Sequence, residues 1–356
     1  MKKRNSRLEL LRIISILAVI ALHAYRHASD GILLMDGFSV NHIILQLICS
    51  WGLVGVNCFF IISSFFLLDS NRINEFKLFS IILTTCLFSI LIYILDIFVW
   101  KNSFSIMGII KGLISPFDDT YWYITCYLLL YIIHSYLNRI IKSLNIKELR
   151  DISCICFVIT FIFKTLIVNA PIGNIGVPIS IYFIIAYYKV EGKKHTQLLR
   201  QLSMASVVCV LGCQLFVSIL PEGIRSLQII KYCVTQIMAK FSPFMLIIAL
   251  DLFDRFNNSK EFHSAFINNV STHILAVYVI HENDYLSSHL WNELFPIAVW
   301  YEGNTLLLIF KLCTAMLFVV IICCAFDFVF TPLISWAAKV LNKNVRVVAE
   351  KLIMRK

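Results

Sequence analysis

Ten apolar runs separated by short polar stretches make up most of this chain: 8–27, 42–68, 78–99, 121–141, 152–169, 172–188, 203–220, 227–250, 270–290 and 305–336. A helix needs about 17–25 predominantly apolar residues to cross the hydrocarbon core of a bilayer. The pattern therefore predicts an all-α, polytopic membrane bundle of about ten transmembrane helices. The sixth run is short and follows Pro171, Gly173, Gly176 and Pro178, so a broken or re-entrant helix is the alternative there. No repeat, low-complexity tract or soluble domain interrupts the series, and residues 1–356 read as one transmembrane domain.

Polar residues inside these runs carry the candidate chemistry. The first run, LELLRIISILAVIALHA, holds Arg12 and His23. Eleven residues at about 100° and 1.5 Å each bring His23 back to within roughly 20° of Arg12, some 16 Å along the helix. An ionisable residue in a membrane helix is costly and usually faces a protein interior or an aqueous path. A snorkelling Arg and a His satisfied in the bundle are the bland alternative, which the shared stripe disfavours. The ninth run reads AVYVIHENDYLSSHLW, with His281, Glu282, Asn283 and Asp284 in sequence. Each needs a partner in low dielectric, as a structural polar knot or as the lining of a path.

Three further groups leave alternatives open. SPFDDTYWYITCYLLLY sets Asp118 and Asp119 before Tyr121, Trp122 and Tyr123. Those aromatics suit an interfacial belt or a platform for a sugar ring. Ser63 and Ser64 end the second run, where interhelical packing is the plain reading. Lys164, Lys240 and Lys311 sit in apolar runs, the first two placed to snorkel or to pair with a carboxylate such as Glu282.

Composition agrees with the membrane assignment: 59% of residues are hydrophobic and 15% charged. The net charge of +10 gathers in short loops instead of on a nucleic-acid-binding face. One set of loops holds Lys2, Lys3, Arg4, Arg7, Arg72, Lys77, Arg139, Lys142, Lys147, Arg150, Lys189, Lys193, Lys194, Arg200, Arg255, Lys260 and the tail from Lys339 to Lys356. The other holds only Arg26, Lys101, Lys111, Arg225 and Lys231. By the positive-inside bias both termini are expected in the cytoplasm, as an even number of spans requires. The basic start followed by an apolar run imitates a signal peptide, but Glu9 and Arg12 within it argue for retention of the first helix. The twelve cysteines are scattered, with no CxxC pair or Cys/His ligand spacing, so neither disulfides nor a metal are expected.

These segments together resemble acyltransferase family 3 over nearly the whole chain. Arg12 and His23 are similar to that family's Arg-x10-His signature, and FFIISSFFLL to its FFxISGFLL segment. TYWYITCYLLLYIIHSYLNRII resembles its WFLxxLxxLYLxxP stretch, and AVYVIHENDYLSSHLW its YLIHxN segment. Ser64 departs from the family's Gly, and Arg72 and Lys77 stand where it usually has paired arginines. The resemblance implies a multi-pass enzyme of the bacterial plasma membrane. It would move an acyl group, most often acetyl, from cytoplasmic acetyl-coenzyme A to a hydroxyl of an extracytoplasmic glycan or its lipid-linked precursor. It implies Arg12, Ser63, Arg72 and Lys77 toward the cofactor and His23, supported by Glu282 or His281, at the chemistry. Asp119, Tyr121, Trp122 and Asn283 would face the acceptor. A flippase or glycan polymerase is the competing class, although the large outer loop usual in polymerases and the extra spans usual in flippases are missing here.

Overall fold

A computed structural model describes residues 5–28, 39–166, 174–220 and 225–353, all of them in helices and short connections. The protein is an all-α membrane protein, and among the described residues six helical stretches are long and apolar enough to cross a membrane. Ten separate helices of that length are thus not found among the described residues, for three physical reasons. The stretch Gly176–Ile219 takes in both the sixth and the seventh expected spans. The fifth loosens into a wide turn at Val158–Phe163, and its expected end, 167–169, lies outside the described residues. The eighth and ninth are broken by helix caps.

The first helix, α1 (Arg7–His27), lies against α2 (Val40–Leu67). Small residues set their separation. A Cβ on Gly55 would fall 2.7 Å from the Ser15 carbonyl oxygen, and one on Gly52 2.6 Å from that of Ala18. Any side chain at either position would push the two backbones apart. Helix α3 (Glu75–Val99) is followed by the short α4 (Ile106–Ile114) and by α5 (Trp122–Ser143). Asn138 on α5 donates to the carbonyls of Leu67 and Ser70 at 3.0 and 2.7 Å, which pins α5 to the end of α2.

Helix α6 (Ile146–Phe157) leads through the wide turn toward α7 (Gly176–Glu191), and Tyr182 on α7 donates to Asn138 at 2.7 Å. After α8 (Thr196–Ile219) and α9 (Arg225–Ile237) the helix breaks, because Ser242 caps α10 (Pro243–Asn258). Its Oγ accepts from the Met245 amide at 3.3 Å, and Pro243 occupies the first helical position, where a missing N–H costs nothing. The break frees the Lys240 carbonyl to accept from Asn57 of α2 at 2.6 Å.

The ninth expected span is likewise divided, into α11 (Ala265–Val270), α12 (Ile274–His281) and α13 (Asp284–His289). Asn283 ends it by capping α13, its Oδ1 accepting from the Tyr285 amide at 3.0 Å. His281 and Glu282 therefore stand where one helix stops and the next begins. Helix α14 (Ile297–Tyr301) precedes α15 (Thr305–Ile353), which runs well past the expected 305–336. Asp327 of α15 meets His273, just before α12, at 2.6 Å and ties the broken segment to the long helix.

Candidate functional site

Alongside α1 lies a cavity of about 430 Å³, within the usual range for small-molecule sites. Arg12 and His23 both line it, so the stripe read from the sequence is one wall of a real space. Val56, Phe59 and Ser63 of α2 form the next wall, with Lys77 and Ile81 of α3. Trp122, Tyr123 and Tyr127 of α5 close it, together with Ser271, Thr272, Leu275 and Tyr278 around α12.

The Arg12 end is cationic and partly aromatic. Arg12 donates to Glu9 at 3.1 Å, and its guanidinium lies 5.5 Å from the Phe66 ring centroid. Lys77 Nζ lies 5.2 and 5.7 Å from the rings of Tyr131 and Tyr127. The Tyr123 hydroxyl meets the Ser63 side chain. Ser64, where the family has Gly, is fully buried and its hydroxyl has no hydrogen-bond partner among the described residues. Arg72 is exposed and does not line the cavity.

At the other end three side chains converge. His23 Nδ1 lies 3.0 Å from His281 Nε2 and 2.7 Å from a Glu282 carboxylate oxygen. His27 Nε2 reaches the same Glu282 oxygen at 3.1 Å. Hydrogen-bond logic fixes the tautomers. His281 Nδ1 lies 2.5 Å from the Val277 carbonyl, which can only accept, so that nitrogen carries the proton. In a neutral His281, Nε2 is then a lone pair. Both atoms facing His23 Nδ1 are acceptors, so Nδ1 is the protonated nitrogen of His23. Its Nε2 remains as a lone pair on a side chain that lines the cavity, without a partner among the described residues. A carboxylate that orients an imidazole through Nδ1–H, leaving Nε2 to exchange protons, is the arrangement found in triad enzymes.

His23, His281 and Glu282 also form a possible three-ligand metal set, their nearest atoms all within 4.8 Å of one another. Their separations of 2.7 and 3.0 Å are hydrogen-bond lengths. Zinc bonds of about 2.0–2.1 Å at tetrahedral angles hold ligand atoms roughly 3.3 Å apart. The hydrogen-bonded reading fits better.

Other expected residues are placed differently. Tyr121 is fully buried, donating to the Val279 carbonyl at 2.9 Å and accepting from Asn283 at 2.8 Å. Both hold the break after α12 in shape and neither lines the cavity, so direct contact with an acceptor is not carried forward for either. Asp119 is exposed, away from the cavity, its amide donating to Asp118 at 2.7 Å. Trp122 does line the cavity. Neither Lys164 nor Lys240 pairs with Glu282; they lie over aromatic rings, and Lys311 over that of Trp300. His27 went unrecognised in the sequence, although its position four residues after His23 puts both on one face.

The fold is that of a helical membrane protein, with a cavity that has a hydrogen-bonded histidine at one end and cations at the other. Residues 5–326 match the family model described as an acyltransferase domain, and the chain belongs to acyltransferase family 3. No curated protein and no solved structure matches it. Membership makes the protein a membrane acyltransferase and sets aside the flippase and polymerase readings.

Proposed function

We propose that the enzyme transfers acetyl from acetyl-coenzyme A, bound from the cytoplasm at the Arg12 end, to a hydroxyl of an extracytoplasmic glycan or its lipid-linked precursor at the His23 end. The observation that carries this reading is the contact of His23 Nδ1 with both Glu282 and His281, which leaves Nε2 on the cavity side. A lone pair at Nε2 makes His23 the general base, and Glu282 holds the imidazole and balances the charge it gains. His23 Nε2 takes the proton of the acceptor hydroxyl while that oxygen attacks the thioester carbonyl. The carbon–sulfur bond then breaks, and the imidazolium returns its proton to the departing thiolate. Arg12 and Lys77 suit phosphate groups at the far end through charge-assisted hydrogen bonds. The roughly 16 Å between Arg12 and His23 is a span an extended pantetheine arm can follow. With ten crossings, the broken stretches included, both termini share the Arg12 side of a plasma membrane.

Purified protein in detergent, given acetyl-coenzyme A labelled in the acetyl group, tests the donor. Label should leave coenzyme A, to water slowly and to added cell-envelope glycan faster. Retention of all label on coenzyme A in the presence of that glycan contradicts the reading.

A further inference from the structure

Glu282 supports the base, but little in its own helix supports Glu282. It is the first residue past α12, its amide donating back to the Tyr278 carbonyl at 3.3 Å, and Asn283 opens the next helix. A long carboxylate side chain at such a break lacks a following turn to confine it, and ordering its rotamers costs entropy. Among the described residues its side-chain hydrogen bonds come from α1 alone. One carboxylate oxygen lies 2.7 Å from His23 Nδ1 and 3.1 Å from His27 Nε2. The side chain is partly exposed, so water competes for it.

The reaction above uses His23 and gives His27 no part. The two lie one turn apart on one face of α1, their ring centroids 6.3 Å apart. A carboxylate accepts, so His27 Nε2 carries a proton and donates. His27 is itself fixed in place: it ends α1, and its carbonyl accepts from Asn292, beyond α13, at 3.3 Å. It does not line the cavity, so its effect on the chemistry runs through Glu282. Two effects then oppose each other. A second donor draws off some of the negative charge that Glu282 offers His23, which slows proton transfer. The same donor keeps the carboxylate from swinging toward water. Sharing an oxygen weakens one hydrogen bond in part, whereas a misplacement of about 1 Å costs about a hundredfold in rate. Order therefore outweighs charge.

We propose that His27 is a positioning residue for acyl transfer: its Nε2–H holds the Glu282 carboxylate against His23 Nδ1 and so keeps His23 Nε2 turned toward the acceptor hydroxyl. The proposal rests on His23 as the base and adds a second imidazole to the carboxylate that orients the first. A histidine at a helix C-terminus can also serve the helix alone, through its dipole and last carbonyls. The two roles differ in what a substitution does to turnover.

Full-length protein in detergent is assayed for acetyl transfer with three changes. His27→Phe keeps a ring and removes the donor. It should lower kcat by about ten- to a hundredfold and leave the KM for acetyl-coenzyme A as it was, because Arg12 lies roughly 22 Å away along α1. His27→Ala makes the same comparison where the Phe ring does not fit. His27→Gln sets an amide N–H where Nε2–H stood and should recover most of the lost rate. In a Glu282→Gln background, His27→Phe should cost little more, since the group it acts through is gone. Glu282 can also be watched without turnover. The infrared carboxylate band that disappears in Glu282→Gln should shift in His27→Phe and return in His27→Gln. A normal rate in His27→Phe, full additivity of the two substitutions, or a carboxylate band that does not move overturns the proposal. A parent protein that transfers no acetyl defeats the function above by itself, and the band then decides alone whether His27 holds Glu282.

Discussion

Two histidines meet at 3.0 Å, yet their nitrogens are committed differently. His281 spends Nδ1 on the Val277 carbonyl and Nε2 on His23. His23 spends only Nδ1. The prediction at this scale is that His281→Ala leaves measurable turnover, while Glu282→Gln, which keeps the shape and removes the charge, lowers kcat by about 10²–10⁴. Acetyl-transfer rates for the two variants, with coenzyme A binding as a folding control, decide it. Equal, near-normal rates would strip Glu282 of its role. Arg12 and His23 were legible in the sequence because helical spacing alone puts two polar groups on one stripe. The roles of Tyr121 and Asn283 were not, since spacing does not say that one hydroxyl and one amide will close on each other at 2.8 Å. Arg72 was named from the resemblance alone, as one of a basic pair with Lys77, and only Lys77 of the two lines the cavity.

Among the elements, α1 is the one whose position matters most, because it carries both ends of the site. Its distance from α2 is set at Gly55, where a Cβ would meet backbone and not a flexible side chain. Gly55→Ala should destabilise the protein by about 1–3 kcal/mol, the usual cost of overpacking. Thermal unfolding in detergent should show a lower Tm, accompanied by weaker coenzyme A binding as Arg12 moves with its helix. An unchanged Tm would mean that the two helices yield freely. Hydropathy recovered where helices lie but not where they break. Ser242-Pro243 and Asn283 are capping signals buried in apolar runs, and in a sliding reading the surrounding leucines, isoleucines and valines outweigh them. Those two breaks deliver Lys240, His281 and Glu282 to the cavity end.

At the scale of the whole molecule, the account needs opposite ends of the cavity to face opposite sides of the membrane. In the proposed orientation, which the lysine and arginine asymmetry supports, the Arg12 end faces the cytoplasm. A cysteine in place of the exposed Asp119, in a background lacking the native cysteines, should react with an impermeant maleimide on intact cells. A cysteine in place of exposed Lys193 should react only after lysis. The reverse pattern would invert the protein and leave the donor on the wrong side. All-α architecture and family membership were legible from composition and four short motifs. The continuity of the helices was not, because a span by hydropathy need not be one continuous helix.

The central claim is that His23 Nε2 is the base. His23→Asn tests it most directly, because the Asn amide can offer an N–H where Nδ1–H stood while nothing replaces Nε2. Acetyl transfer from labelled acetyl-coenzyme A to the cell-envelope glycan should fall by about 10²–10⁴, with coenzyme A binding within a fewfold of the parent protein. Transfer by His23→Asn at a near-normal rate would contradict the account and return His23 to a structural role beside Glu282.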